Sequence, residues 1–226
     1  MIRFSDRADA GRQLATRLTA YANRDDVVVL ALPRGGVPVG CEVAHALHAA
    51  LDVFLVRKLG VPGHPELAMG AIASGGVRVV SRGIVDELGI AAETIERIAE
   101  QERIELERRD RLYRGTRSLP ALANRIVILV DDGLATGATM EAAIAAVRQF
   151  HPARIVVASP VGARETCQRL SSIADEVVCA EMPNFFQAVG LWYAKFDQTT
   201  DDEVIDLLSA SASLQAGERR VDPRVR

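Results

Sequence analysis

The sequence predicts an α/β fold: a parallel sheet flanked by helices. Three observations carry this. Residues 27–32 (VVVLAL) and 126–130 (IVILV) are apolar runs without polar alternation, the pattern of strands buried on both faces of a parallel sheet. Residues with helical spacing follow each run, as in strand–crossover–strand units. Each run also ends in a loop of small or charged residues, at the sheet edge where such folds bind ligands.

The elements follow in order. Asp6 can cap a first helix reaching about Tyr21, with Leu14 and Leu18 on one face. Core strands are predicted over 27–32 and 52–57. Residues 67–81 read as extended and glycine-punctuated, suiting a hairpin. Residues 91–113 form a strongly charged helix, with Ile95, Ile98 and Ile104 as the expected inner stripe. Residues 119–124 link to the strand 126–130. The helix after Thr139 places Ile144, Val147 and Phe150 at helical spacing. Two further strands are predicted over 154–159 and 176–180. The expected organisation is one domain over 1–208, with a core at 25–180. Residues 209–226, polar and ending RRVDPRVR, are expected to form a flexible tail. No internal repeat is present.

Composition narrows the function. The chain has 226 residues and is 49% hydrophobic, enough for a substantial core. A formal net charge of -3 lacks the footprint of a duplex-binding protein. Cys41, Cys167 and Cys179 form no Cys-x-x-Cys pair and read as reduced thiols. His45 and His48 share a helix face, but no further ligand set points to zinc. Charge interrupts the first residues, so they do not read as a signal peptide. No apolar run approaches the ~20 residues of a membrane span. The expectation is a cytoplasmic enzyme.

The chemistry concentrates at residues 126–139, IVILVDDGLATGAT. Asp131 and Asp132 fall just past a buried strand. Adjacent carboxylates are costly to bury unpaired, so they should meet hydroxyls, a cation or both. Gly133, Ala135, Thr136, Gly137, Ala138 and Thr139 carry little bulk, so backbone N–H groups can close around an anion at the next helix start. An ordinary strand, Asp turn and helix cap is the alternative reading of the same residues. A second loop, Pro33-Arg34-Gly35-Gly36, follows the first core strand. Its glycines permit close backbone approach, and Arg34 offers a planar donor fork for phosphate oxygens. Arg57 and Lys58 are placed at the exit of the 52–57 strand. The scarce aromatics gather at 182–196, MPNFFQAVGLWYAKF.

The 126–139 stretch closely resembles the phosphoribosyl-pyrophosphate motif of type I phosphoribosyltransferases. The opening DRADAG, PRGG and PELAMGAI are similar to a group of stand-alone bacterial phosphoribosyltransferase-like proteins, over most of the chain to about Asp206. The resemblance implies that Asp131 and Asp132 hold the ribose hydroxyls and that Ala135 to Thr139 wrap the 5′-phosphate. Arg34, Gly35 and Gly36 then take the pyrophosphate side, with Arg57 and Lys58 at the start of a mobile loop. It implies Mg2+ bound mainly through ligand oxygens and water, with Asp131 and Asp132 acting indirectly. It also implies a small hood from the chain ends, 1–24 and 181–208, in which Phe185, Phe186, Trp192 and Tyr193 lie beside an acceptor base, and a homodimer is the expected assembly. RKLGVPG is similar to adenine phosphoribosyltransferases, but the residues after it depart from that pattern. Ala135 stands where enzymes for hypoxanthine and guanine usually carry an Asp. No general base stands out; Glu66 and Glu87 are candidates by position alone. The expected activity is magnesium-dependent transfer of a 5-phosphoribosyl group to a nitrogenous base, releasing pyrophosphate. Two other readings keep the same residues: a non-catalytic regulator that binds phosphoribosyl pyrophosphate or a nucleotide, and a hydrolase with water as acceptor.

Overall fold

We describe residues 3–221 from a computed structural model, the side chains of 65, 66 and 214–221 excepted. The chain runs α1 (Arg7–Ala15), a 3-10 turn (Thr19–Tyr21), β1 (Val27–Ala31), α2 (Gly36–Leu47), β2 (Ala50–Val53), β3 (Val56–Val61), β4 (His64–Ala73) and β5 (Val77–Val80). It continues with α3 (Arg82–Glu87), α4 (Ala92–Arg114), β6 (Ile126–Val130), α5 (Ala138–Arg148), β7 (Arg154–Val161), α6 (Arg164–Leu170), β8 (Glu176–Glu181), a second 3-10 turn (Val189–Trp192) and α7 (Asp201–Val221).

Five strands make an all-parallel sheet in the order β2-β1-β6-β7-β8. Every residue of β1 and β6 is buried, as the unbroken apolar runs predict. Period-two alternation divides them between two cores. Val28, Leu30, Val127 and Leu129 pack on Met140, Ile144 and Val147 of α5 and Leu170 of α6. Val27, Val29, Ile126 and Ile128 pack on Leu14 of α1 and Val39, Val43 and Leu47 of α2. The sheet is therefore covered on both faces, the architecture that the family resemblance implies.

The expected strand at 52–57 is two strands. β2 ends at Val53, buried Phe54 and Leu55 turn the chain, and β3 begins a separate antiparallel sheet ordered β3-β4-β5. Asp52 marks the break: its Oδ1 accepts from Val53 N at 2.7 Å and from Arg114 Nε at 3.0 Å. The hairpin expected at 67–81 is present as β4 and β5.

Three further expectations are corrected. The first helix stops at Ala15, where the Leu14 and Ala15 carbonyls accept from Arg17 and Leu18 N in tighter turns. In α4 the buried residues are Ala99, Leu106, Tyr113 and Arg114, while Ile104 is exposed. At 3.6 residues per turn Ile104 lies about 240° round from Ile98, off the inner stripe. The tail expected from 209 is helical as far as Val221, because Val204, Leu208 and Ser211 repeat at helical spacing and are buried. Residues 222–226 lie outside the described residues. The thiols also prove less scattered than the sequence suggests: Cys167 and Cys179 Sγ atoms lie 3.0 Å apart, behind the sheet edge at Gly162.

Candidate active site

Neighbouring strands β1 and β6 continue in opposite directions across the sheet. β1 leads through α2 to β2 at one edge, and β6 leads through α5 to β7 on the other side. Their carboxyl ends therefore form the topological switch point, where α/β sheets open a crevice. The register pairs Ala31 with Val130, and Leu32 N donates to Val130 O at 2.8 Å. The PRGG loop and the two motif acids are thus held side by side. A Cβ on Gly35 would lie 2.1 Å from Asp132 Oδ2, so any side chain there would push the two loops apart. The Pro33–Arg34 peptide bond is cis.

The loop of residues 133–139 is braced from behind. Thr166 Oγ1 donates to Ala135 O at 2.6 Å, and Arg169 Nη2 donates to Thr136 O at 2.5 Å. These bonds turn loop carbonyls toward α6. Among the described residues, nothing accepts from the backbone N–H groups of Ala135, Thr136 and Gly137. Gly137 takes φ +72 at the start of α5, and a Cβ there would meet Thr166 Cγ2 at 2.6 Å. Ala135, Thr136 and Thr139 are exposed. Carbonyls turned inward and amides left free make a concave anion site at a helix start.

The two acids have different surroundings. Among the described residues, Asp131 Oδ1 accepts only from Asp132 N, at 2.9 Å. Burial, and then the neighbouring Asp132 carboxylate, push the Asp131 carboxyl well above the ordinary range. Asp132 Oδ2 instead meets Arg7 Nε at 2.8 Å, with both side chains largely buried. The Arg7 guanidinium sits 4.0 Å from the Phe196 ring centroid, and its Nη1 donates to Asp197 O at 2.6 Å. Tyr193 Oη donates to Asp132 O at 2.5 Å. Burial, followed by the nearby Asp132 charge, raises that phenol, so it stays a neutral donor. Arg7 is the site residue that sequence reasoning missed. A signal was available: an Arg in the first turn of a helix opposes the macrodipole, so its placement there calls for a partner.

The other expected residues divide. Arg34 reaches Asp201 at the start of α7, Nη1 to Oδ1 3.6 Å. Arg57 and Lys58 lie on β3 of the second sheet, not at the end of a parallel strand. On β3 they share a cleft of about 510 Å³ with Ile98, Glu102 and, from the motif loop, Thr139. Arg57 Nε donates to Glu102 Oε2 at 2.6 Å. Glu87 is exposed at the end of α3, and the side chain of Glu66 lies outside the described residues. The segment expected as a mobile loop after Lys58 is built of strands β3 to β5 and helix α3.

The chain ends do meet. Phe4 pairs with Tyr193 in a β-bridge, and Phe186, Val189 and Trp192 pack around them. Tyr193 is buried, with Phe4 and Phe196 ring centroids 5.4 and 4.9 Å away. Its ring is therefore part of the packing rather than a free stacking surface for a base. Phe185 is 77% exposed.

The described residues hold no group of three or more His, Cys, Asp or Glu side chains able to cage a metal ion. Two carboxylates, one already paired with Arg7, suit an ion that keeps most of its water and takes ligand oxygens. No helix of the described residues is long and apolar enough to cross a membrane.

A sequence profile of the phosphoribosyl transferase domain matches residues 5–194, which include both loops and both acids. The chain belongs to the phosphoribosyl transferase domain family. A Mycobacterium tuberculosis protein named "Putative phosphoribosyl transferase", from strains CDC 1551 and H37Rv, is 46% identical over 227 residues. The alignment takes in 99% of this chain and 51% of that protein, so the chain spans about half the length of the curated relatives it matches. The crystal structure of TT1426 from Thermus thermophilus superposes with a TM-score of 0.83 at 45% identity, covering 92% of this chain and 98% of that one. The family assignment thus rests on a match over most of the chain as well as on the motif.

Proposed function

We propose that this domain transfers a 5-phosphoribosyl group from phosphoribosyl pyrophosphate to a nitrogenous base, with magnesium, and releases pyrophosphate. One observation carries the reading: the switch point sets two acids directly against the PRGG loop, and a loop of free amides follows those acids. Residues 135–139 would take the 5′-phosphate, and the acids the ribose hydroxyls. Arg34, Gly35 and Gly36 would take the pyrophosphate, with Arg57 and Lys58 facing it across the cleft. The C1–O bond to pyrophosphate breaks as the C1–N bond to the base forms, and the base loses its proton. Positive charge develops on the ribose ring meanwhile. Fixed donors around the leaving pyrophosphate stabilise its negative charge without reorganising, and the two loops hold the reacting atoms in line. Magnesium, when bound with the donor, neutralises pyrophosphate charge. The hood of residues 182–196 lies beside the acids, on the side proposed for the acceptor. A homodimer belongs to the same proposal, and sedimentation of the full chain measures it.

Pyrophosphate release tests the reading, measured with donor, magnesium and a panel of purine and pyrimidine bases. One base should accelerate release strongly. Hypoxanthine and guanine should be poor acceptors, since Ala135 replaces the Asp usual in their enzymes. Release that needs no base would instead assign a hydrolase. Donor binding without release under any condition would assign a regulator.

A further inference from the structure

Asp132 presents its two carboxylate oxygens to different surroundings. Oδ2 is boxed in: Arg7 Nε lies 2.8 Å away, and a Cβ on Gly35 would lie 2.1 Å from it. Oδ1 accepts from no N–H or hydroxyl donor among the described residues, with the Asp131 carboxyl as the side chain within reach of Asp132 beside Arg7. Arg7 is itself fixed on two further sides, by the Phe196 ring at 4.0 Å and by Asp197 O at 2.6 Å. Tyr193, whose ring lies 4.9 Å from that of Phe196, holds the Asp132 main chain through its carbonyl. The hood thus grips one motif acid at two points and the other at none. A guanidinium fork pre-organised in this way costs little further ordering when a ligand arrives.

We propose that Arg7 is a positioning residue of the donor site: clamped by Phe196 and Asp197, it fixes Oδ2 of Asp132 so that Oδ1 is left to accept a ribose hydroxyl. This rests on the phosphoribosyl reading above and assigns a task to the first helix and the hood. The contact also neutralises one of two adjacent carboxylates, so an incoming hydroxyl meets an oriented acceptor rather than a mutually repelling pair.

The test is calorimetric titration of ribose 5-phosphate, its 2-deoxy and 3-deoxy analogues, and pyrophosphate into wild type, Arg7→Met, Arg7→Lys and Phe196→Leu. Arg7→Met should weaken ribose 5-phosphate about tenfold to a hundredfold, the scale of a hydrogen bond to a charged group. Pyrophosphate binding should be unchanged. Arg7→Lys should recover part of the loss, because a point charge cannot serve Asp132 and Asp197 together. Phe196→Leu keeps the ion pair and should lose less than Arg7→Met, in the same direction. For one of the two deoxy analogues the Arg7→Met penalty should vanish, since the hydroxyl that Asp132 accepts is then missing. A penalty equally large for both deoxy analogues, or for pyrophosphate, would mark Arg7 as a purely structural residue. Unchanged ribose 5-phosphate affinity in Arg7→Met would overturn the inference while leaving the donor assignment standing. If wild type itself binds no ribose 5-phosphate, the donor assignment falls and the inference with it.

Discussion

Two largely buried arginine–aspartate pairs, Arg114–Asp52 and Arg7–Asp132, are built to opposite ends. Arg114 is 3% exposed and reaches Asp52 with Nε at 3.0 and 3.1 Å. Its other nitrogens meet Asp110, Ser74 Oγ and the Val53 carbonyl. The cluster ties β2, β4 and α4 together at the point where the chain leaves the parallel sheet. The Arg7–Asp132 pair is also largely buried, yet it leaves Asp132 Oδ1 without an N–H or hydroxyl donor among the described residues and Asp131 almost so. Phe196 and Tyr193 pack on one side of it, and the loop of free amides follows Asp132 in the chain. A saturated ion cluster holds a fold together. An unsaturated one, at the end of strands and against glycine, keeps capacity for a ligand.

The largest effect should come from breaking the saturated cluster. Arg114→Met leaves Asp52 buried without its cation, a change that costs about 3–5 kcal/mol. Denaturant unfolding should register it as a lower midpoint at constant slope. A loss under about 1 kcal/mol would mean the two pairs differ less than their geometry implies.

At the unsaturated site the consequences invert. Asp131→Asn with Asp132→Asn should lower affinity for phosphoribosyl pyrophosphate more than about a hundredfold, as two charged acceptors are lost. The melting temperature should fall less than in Arg114→Met, because Arg7 keeps the Asp197 carbonyl and the Phe196 ring. Unchanged donor affinity by calorimetric titration would remove the acids from the site altogether.

The pH dependence sharpens the contrast. Asp131 in the folded protein titrates above its unfolded value, because burial and Asp132 disfavour its charged form. The folded state then binds the extra proton. That contribution is fully present below about pH 4, the unfolded value, and is lost as pH rises through the folded one. Free protein should therefore lose stability over this interval, and Asp131→Asn should lose less. Asp52 is also raised by burial and keeps its share in both proteins. Parallel melting curves against pH for wild type and variant would show Asp131 to be ordinary.

The smallest expected effect is at Arg34, which is partly exposed and bridges loosely to Asp201. Arg34→Ala should leave stability within about 0.5 kcal/mol. It should weaken pyrophosphate about tenfold more than ribose 5-phosphate, one charged hydrogen bond's worth. Equal losses for both ligands would reduce PRGG to a turn.

Local sequence by itself determined the parallel sheet, the two loops after β1 and β6, and the place of both acids. Unbroken apolar runs can be buried only between two layers, and glycine-rich stretches after them have few other uses, so these features are fixed by residues near one another in the chain. Tertiary structure alone decided the rest. Arg57 and Lys58 moved to a second sheet because Asp52, Ser74 and Arg114 meet across the chain and close β2 early. Ile104 fell outside the core because β3, β4 and α7 cover another face of α4, and α4's own pattern cannot say which neighbours arrive. Arg7 reached Asp132 across 125 positions of sequence, and Tyr193 and Phe196 came to it from the other chain end. A partner that distant leaves no period or spacing to read. Only the folding of both ends over the switch point brings the cation to the acid.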